Sequence, residues 1–86
     1  MNNKYIINSY GDKEWFQNGL YHREDGPAIE CFNGTKYWII NGKSHREDGP
    51  AIVYASGGKS WYLNDELIDC KDNEEFLRVV KMKAFW

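Results

Sequence analysis

The segment FNGTKYWIINGKSHREDGPAIVY (residues 32–54) is a second copy of the segment before it, SYGDKEWFQNGLYHREDGPAIEC (residues 9–31). The two copies are identical at 13 of 23 positions. A divergent third copy follows, ASGGKSWYLNDELIDCKDNEEFL (residues 55–77), and the 23-residue step is marked by Trp15, Trp38 and Trp61. A fixed period of this length is typical of repeat folds, in which each unit is one supersecondary structure and a divergent last unit acts as a cap.

Each unit has the sequence pattern of a β-hairpin. A β-forming segment runs into Asn33-Gly34, a pair that favours the type I′ turn between antiparallel strands. Residues 35–40 form the next strand, and Asn41-Gly42 turns the chain again. The tryptophans then align at one per unit and are expected to form the core. The sequence predicts a mainly β fold, an elongated, antiparallel, single-layer sheet of six or seven short strands in three hairpin repeats.

The pattern changes after residue 71 and predicts a C-terminal α-helix over residues 73–84. Asp72 or Asn73 suits the N-cap, and the acidic first turn and basic last turn complement the helix dipole. An apolar stripe lies at helical spacing, comprising Phe76, Leu77, Val80 and Ala84. We expect this stripe to cover a sheet face or the terminal edge. In the alternative interpretation, Phe85 and Trp86 are left free to anchor a partner.

Composition excludes several classes of protein. The 86 residues correspond to a single domain, residues 1–86. The 11 basic and 13 acidic residues give a net charge of −2, which argues against non-specific binding to nucleic acid and makes a nucleic-acid partner the less favoured one. The chain has no apolar run of about 20 residues and no signal-peptide pattern at its start, so we expect no membrane partner. Cys31 and Cys70 are too few for a disulfide scaffold, so we expect reduced thiols and a cytoplasmic location. They also lack the spacing of a metal site, and we expect no cofactor.

The repeated residues resemble a known family. The series Trp38, Asn41, Gly42, Lys43 and His45 is similar to the core of the MORN repeat. The HREDGPA string is similar to a subtype of that repeat found in small phage, bacterial and giant-virus proteins. The resemblance covers the three units but not the helical tail. It implies a single-layer β-sheet with a scaffold or interaction role, and it implies no catalytic site.

The string HREDGPAI occurs twice, at residues 22–29 and 45–52, and has three interpretations. The first is a folded loop, in which the aspartate accepts backbone N–H bonds and the arginine pairs with a neighbouring acid. The second is a recognition surface that repeats one unit apart. The third is a catalytic or metal site built from His22, Asp25, His45 and Asp48. The first two interpretations are compatible with each other.

In the recognition interpretation, the long charged side chains bind a partner and the Asp-Gly-Pro segment shapes the loop. The candidate binding residues are His22, Arg23, Glu24, His45, Arg46, Glu47, Phe85 and Trp86. Reversing the charge of Arg23 and Arg46 is then expected to leave the melting temperature nearly unchanged, because exposed ion pairs contribute only about 0–1 kcal/mol.

Two classes of function fit these patterns. The first is a non-enzymatic protein-interaction module of undetermined oligomeric state. The resemblance narrows this to a small phage-type inhibitor of a host defence complex, such as an anti-CRISPR protein. The second is a nucleic-acid or nucleotide-binding module that uses Arg23, Arg46 and aromatic stacking. The sequence has no phosphate-binding loop and no CxxC, HExxH or GxSxG motif, so we expect no enzymatic activity.

Overall fold

The computed structural model describes residues 5–83 and contains, within that range, ten β-strands and one α-helix. The strands are β1 (Tyr5–Ile7), β2 (Lys13–Gln17), β3 (Leu20–Tyr21), β4 (Ile29–Glu30), β5 (Lys36–Tyr37), β6 (Ile39–Ile40), β7 (Lys43–Ser44), β8 (Ile52–Val53), β9 (Lys59–Leu63) and β10 (Glu66–Ile68). The helix is α1 (Asn73–Lys83). No helix in residues 5–83 is long and apolar enough to cross a membrane.

The strands form antiparallel sheets, which confirms the predicted mainly β fold with a C-terminal helix. The main sheet has the order β1-β2-β4-β5-β8-β9-β10, with β3 paired to β2, and β6 pairs separately with β7. The molecule measures 39 × 30 × 19 Å and is compact. Each unit advances the sheet by two strands, so the equivalent loops of successive units lie about 10 Å apart.

The strand count exceeds the predicted six or seven because, in the first two units, the two halves of the tryptophan-bearing strand pair with different strands. In β2, Lys13 and Glu14 pair with β4, whereas Phe16 and Gln17 pair with β3. In the middle unit this strand is interrupted at Trp38, which gives the separate strands β5 and β6. The units are joined where β4 of the first unit pairs with β5 of the second, and where β8 of the second pairs with β9 of the third.

The turns follow the sequence with one correction. Positive φ at both central residues, the mark of a type I′ turn, occurs at Asn18-Gly19, Asn41-Gly42 and Asn64-Asp65. At Asn33-Gly34 the predicted type I′ turn is wrong, because only Gly34 has a positive φ, of 101°. The Gly34 N–H donates to the Cys31 carbonyl at 2.9 Å and the Cys31 N–H donates to the Thr35 carbonyl at 2.8 Å. This is a three-residue hairpin loop that ends in a left-handed glycine.

Side chains at the opposite end of the sheet from the type I′ turns join each unit to the next. The Asp12 carboxylate accepts the Phe32 N–H at 2.8 Å. One unit later, the Thr35 hydroxyl accepts the Ala55 N–H at 3.0 Å. Asp12 and Thr35 occupy the same position in the 23-residue repeat, so the same hydrogen bond recurs with a different acceptor.

The helix covers the third unit. Phe76 is fully buried and packs with Trp61 and Ile68 in the hydrophobic core. Asp72 caps the helix, since its carboxylate accepts the Glu75 N–H at 2.9 Å. The predicted stripe is wrong at Leu77, which is exposed.

Two valines complete the buried face of α1. Val79 and Val80 pack against the core. Val79, rather than the predicted Leu77, therefore belongs to the face of the helix that packs on the sheet. Residue 84, the last of the predicted stripe, lies outside the described residues, as do Phe85 and Trp86.

The tryptophan column is only partly a core. Trp15 and Trp61 are buried as predicted, but Trp38 is half-buried. A second ring lies against each buried tryptophan, Tyr5 at 4.9 Å from Trp15 and Phe76 at 6.3 Å from Trp61, measured between ring centroids. Trp38 is in contact with the guanidinium group of Arg46. The expectation that all three tryptophans form the core is therefore wrong for Trp38.

Candidate functional site

Two copies of the HREDGP string form matching loops on the tryptophan face of the sheet. We call them loop 1 (residues 22–27) and loop 2 (residues 45–50). Between them lies a cavity of about 620 Å³, the loop groove. Both loops form its walls, and Trp38 and Ile40 also line it. The groove therefore lies over the half-buried middle tryptophan.

The guanidinium group of each loop arginine lies over the tryptophan ring of its own unit. The Arg46 guanidinium carbon is 3.9 Å from the centroid of the Trp38 ring. Arg46 Nε donates to the Asp48 carboxylate at 3.0 Å, and Nη1 donates to the Pro50 carbonyl at 3.1 Å. This cation–π contact and two charge-assisted hydrogen bonds hold loop 2 against the sheet.

Loop 1 repeats the same contacts. Arg23 lies 3.9 Å from the centroid of the Trp15 ring and donates to the Asp25 carboxylate and the Pro27 carbonyl at 3.0 and 3.2 Å. Arg23 also donates to the Glu30 carboxylate at 3.0 Å. At the corresponding position the second unit has a valine. The arginine of loop 1 is therefore held by two carboxylates and that of loop 2 by one.

These contacts correct an assumption of the sequence analysis. The side chains of Arg23 and Arg46 are only 20% and 26% exposed, rather than extended into solvent. Their guanidinium groups are bonded within the loops and against the sheet. The expectation that charge reversal at these positions leaves stability unchanged therefore rests on a wrong premise.

The glycine of each HREDGP string makes room for the arginine. A Cβ atom added to Gly49 would lie 2.9 Å from the Arg46 guanidinium carbon, closer than carbon atoms normally approach. The corresponding distance from Gly26 to Arg23 is 3.0 Å. Neither of these glycines has a positive φ, so close approach rather than turn conformation accounts for glycine at this position.

The histidines tie each loop to the turn of the next unit. His22 Nδ1 accepts the backbone N–H of Asn41 at 2.9 Å, and His45 Nδ1 accepts that of Asn64 at 3.0 Å. Because Nδ1 is an acceptor, the proton of the neutral ring is on Nε2. His22 Nε2 donates to Glu24 at 3.2 Å, and the corresponding bond in loop 2 is 2.9 Å long.

The carboxylates extend into solvent. The side chains of Glu24, Asp25, Glu47 and Asp48 are between 67 and 85% exposed. All four line the loop groove, together with the two arginines bonded within their loops. The most exposed charge along the rim of the groove is therefore negative.

The structure brings together most of the residues that the sequence proposed for binding. Five of them line the loop groove, namely Arg23, Glu24, His45, Arg46 and Glu47. His22, the first residue of loop 1, is buried and does not line the groove. The other two, Phe85 and Trp86, lie outside the described residues, so their proposed role stays a prediction.

Trp38 and Ile40 were not predicted as groove residues, and the recognition interpretation assigned Asp25 and Asp48 to the shape of the loops. No pattern in the sequence pointed to the tryptophan. Unit three has Asp69 at the arginine position and a helix instead of the loop, yet it keeps Trp61.

The third interpretation of the loops, as a metal or catalytic site, gains no support. Within residues 5–83, no group of three or more histidine, cysteine, aspartate or glutamate side chains could hold a metal ion. The carboxylates of the loops bond instead to the arginines and histidines of the same loops.

A second groove, of about 470 Å³, lies one unit further along, between loop 2 and the start of α1. Trp61 lines it in place of Trp38. Its lining also includes Lys59 and Lys71 as well as Asp48 and Asp72. Its charge is therefore mixed, unlike that of the loop groove.

No protein-family model, curated protein or solved structure matches this chain. The similarity to the MORN repeat accordingly rests on the motif residues alone, and the function has to be inferred from the loop groove.

Proposed function

We propose that this protein is a non-enzymatic protein-interaction module and that the loop groove is its recognition surface. The observation that carries the proposal is the half-buried Trp38 on a groove walled by two charged loops. An aromatic side chain surrounded by a polar rim is the usual composition of an interface centre. The loops are held by their own hydrogen bonds, so a partner does not have to supply the free energy of ordering them.

The alternative function, binding of a nucleic acid or nucleotide, is not favoured by the charges of the groove. Arg23 and Arg46 were its proposed phosphate ligands, and both are bonded to carboxylates of their own loops. The four exposed carboxylates along the rim would repel a phosphate. A protein partner meets no such repulsion if its own surface is basic or neutral.

The narrower hypothesis concerns the identity of the partner and the compartment. We propose a host defence complex as the partner, as for an anti-CRISPR protein, on the basis of the family resemblance alone. A cytoplasmic location accompanies this proposal. Cys31 and Cys70 are both free, as expected for a reducing compartment.

Affinity capture followed by mass spectrometry tests the proposed function. The bait proteins are the wild type, the groove variant Glu24→Arg/Glu47→Arg and the control variant Glu66→Arg/Glu74→Arg, which changes exposed carboxylates on β10 and α1. We expect the wild type and the control to capture the same protein. Capture by the groove variant should fall at least about tenfold, since like charges at an interface cost several kcal/mol.

Thermal melting of all three baits shows whether each is folded. A folded groove variant that captures the partner as well as the wild type does would place the recognition surface elsewhere. Capture of nucleic acid that weakens steeply with salt would favour the alternative function.

A further inference from the structure

The loop groove combines an acidic rim with apolar groups. The Trp38 ring and the Ile40 side chain are half-buried, and both line the groove. Glu24, Asp25 and Glu47 are exposed on its walls. A long cationic side chain matches this arrangement, because its methylene groups pack on apolar surface while its charged head stays among carboxylates.

The cations already present do not neutralise the rim. Arg23 lies between Asp25 and Glu30, and its guanidinium is stacked on Trp15. Arg46 bonds to Asp48. The remaining rim carboxylates, Glu24 and Glu47, accept hydrogen bonds from histidine rings whose Nδ1 atoms are acceptors, and a ring in that state is neutral.

The two neighbouring units show that the middle position is different. Trp15 is covered by both Arg23 and Tyr5, and Trp61 is covered by Phe76. Trp38 is in contact with Arg46 and stays half-buried. The groove over Trp61 also contains Lys59 and Lys71, which repel a cation. Trp38 is thus the half-buried tryptophan of the column, and its groove is the one with acidic walls on both sides.

We propose that the loop groove binds an arginine- or lysine-bearing segment of the partner protein. This inference rests on the proposed function and adds the chemistry of the partner to it. The cationic head lies between the carboxylates of loop 1 and loop 2. Its aliphatic stem packs against Trp38 and Ile40, so the ligand is a basic side chain rather than a small inorganic cation.

A peptide titration tests the inference directly. The probes are a short Gly-Ser peptide with three arginines and the same peptide with three citrullines, which are nearly isosteric and uncharged. The proteins are the wild type, Glu24→Gln/Glu47→Gln and Glu66→Gln/Glu74→Gln. Glutamine keeps an oxygen that can accept the histidine N–H, and both double variants change the formal net charge from −2 to zero. Binding is followed by calorimetry and by the NMR signal of the Trp38 indole N–H.

We expect the arginine peptide to bind the wild type and to shift the Trp38 signal. Its affinity should fall at least about fivefold for Glu24→Gln/Glu47→Gln and less than about twofold for the control. Equal losses in both variants, equal binding of the citrulline peptide, or no binding at all would overturn the inference. If the peptide fails while protein capture still depends on the groove, only the inference is wrong and the proposed function stands.

Discussion

The arginine of each HREDGP string is a structural residue, because it joins a tryptophan, a carboxylate and a carbonyl. We expect Arg46→Ala to lower the free energy of unfolding by about 1–3 kcal/mol, through loss of charge-assisted hydrogen bonds and a cation–π contact. Arg23→Ala should cost more, since Arg23 also bonds to Glu30. Urea denaturation followed by tryptophan fluorescence measures both values.

An exposed arginine provides the control for this prediction. Arg78 pairs with Glu74 on the surface of α1, and both side chains are largely exposed. Arg78→Ala should change the stability by no more than about 0.5 kcal/mol. If Arg46→Ala changes the free energy of unfolding as little as Arg78→Ala does, Arg46 does not stabilise the fold. The arginines would then be free to act mainly in partner recognition.

Among the elements, α1 replaces the loop that the third unit lacks. Arg23 and Arg46 cover the tryptophans of units one and two, whereas Phe76 covers Trp61. Asn73 also accepts the Trp61 indole N–H at 2.9 Å. The first turns of the helix therefore cover Trp61, as the HREDGP loops cover the tryptophans of the first two units.

This role predicts a large effect at one helix residue and a small one at its neighbour. Phe76 is fully buried, so Phe76→Ala should cost about 3–5 kcal/mol, a large share of the stability of a small domain. Leu77→Ala, at an exposed position of the same helix, should cost less than about 1 kcal/mol. Thermal melts of the two variants measure the difference. Equal melting temperatures would mean that the helix does not pack on the sheet.

For the molecule as a whole, we expect stability to fall at alkaline pH. Burial raises the pKa of the Cys31 and Cys70 thiols and of the Tyr21 and Tyr37 phenols. A group with a raised pKa in the folded state contributes stability below its unfolded pKa and loses that contribution as the pH rises through the folded value. The free energy of unfolding should therefore decline from about pH 8.5 upward and continue to fall above about pH 10.

Tyr21 allows a specific test of this decline. Its hydroxyl donates to the Glu14 carboxylate at 3.2 Å, and that carboxylate adds to the effect of burial in raising the Tyr21 pKa. Tyr21→Phe should flatten the decline above about pH 10, whereas Tyr10→Phe, at an exposed ring, serves as the control. The measurement is urea denaturation between pH 8 and 11 with a reductant present. A wild-type stability that is constant or rises over this range would contradict the prediction.

The sequence by itself determined the features that depend on short stretches of chain. The 23-residue step, the turn at Asn41-Gly42 and the helix that begins near Asp72 follow from local conformational preferences and spacing. They were predictable because a turn or a helix end is decided by residues within a few positions of one another. The mainly β fold follows from repeating such units.

Only the tertiary structure decided which side chains are buried and which charges face the solvent. The burial of Arg46 depends on Trp38, eight residues earlier and across the Asn41-Gly42 turn, and His22 accepts a hydrogen bond from a turn 19 residues later. In the sequence, an arginine followed by a glutamate and an aspartate suggests an exposed charge. Only the structure shows that Arg46 contacts the Trp38 ring and the Pro50 carbonyl. The acidic character of the loop groove likewise results from bonding the arginines inward, because that leaves carboxylates as its most exposed charges.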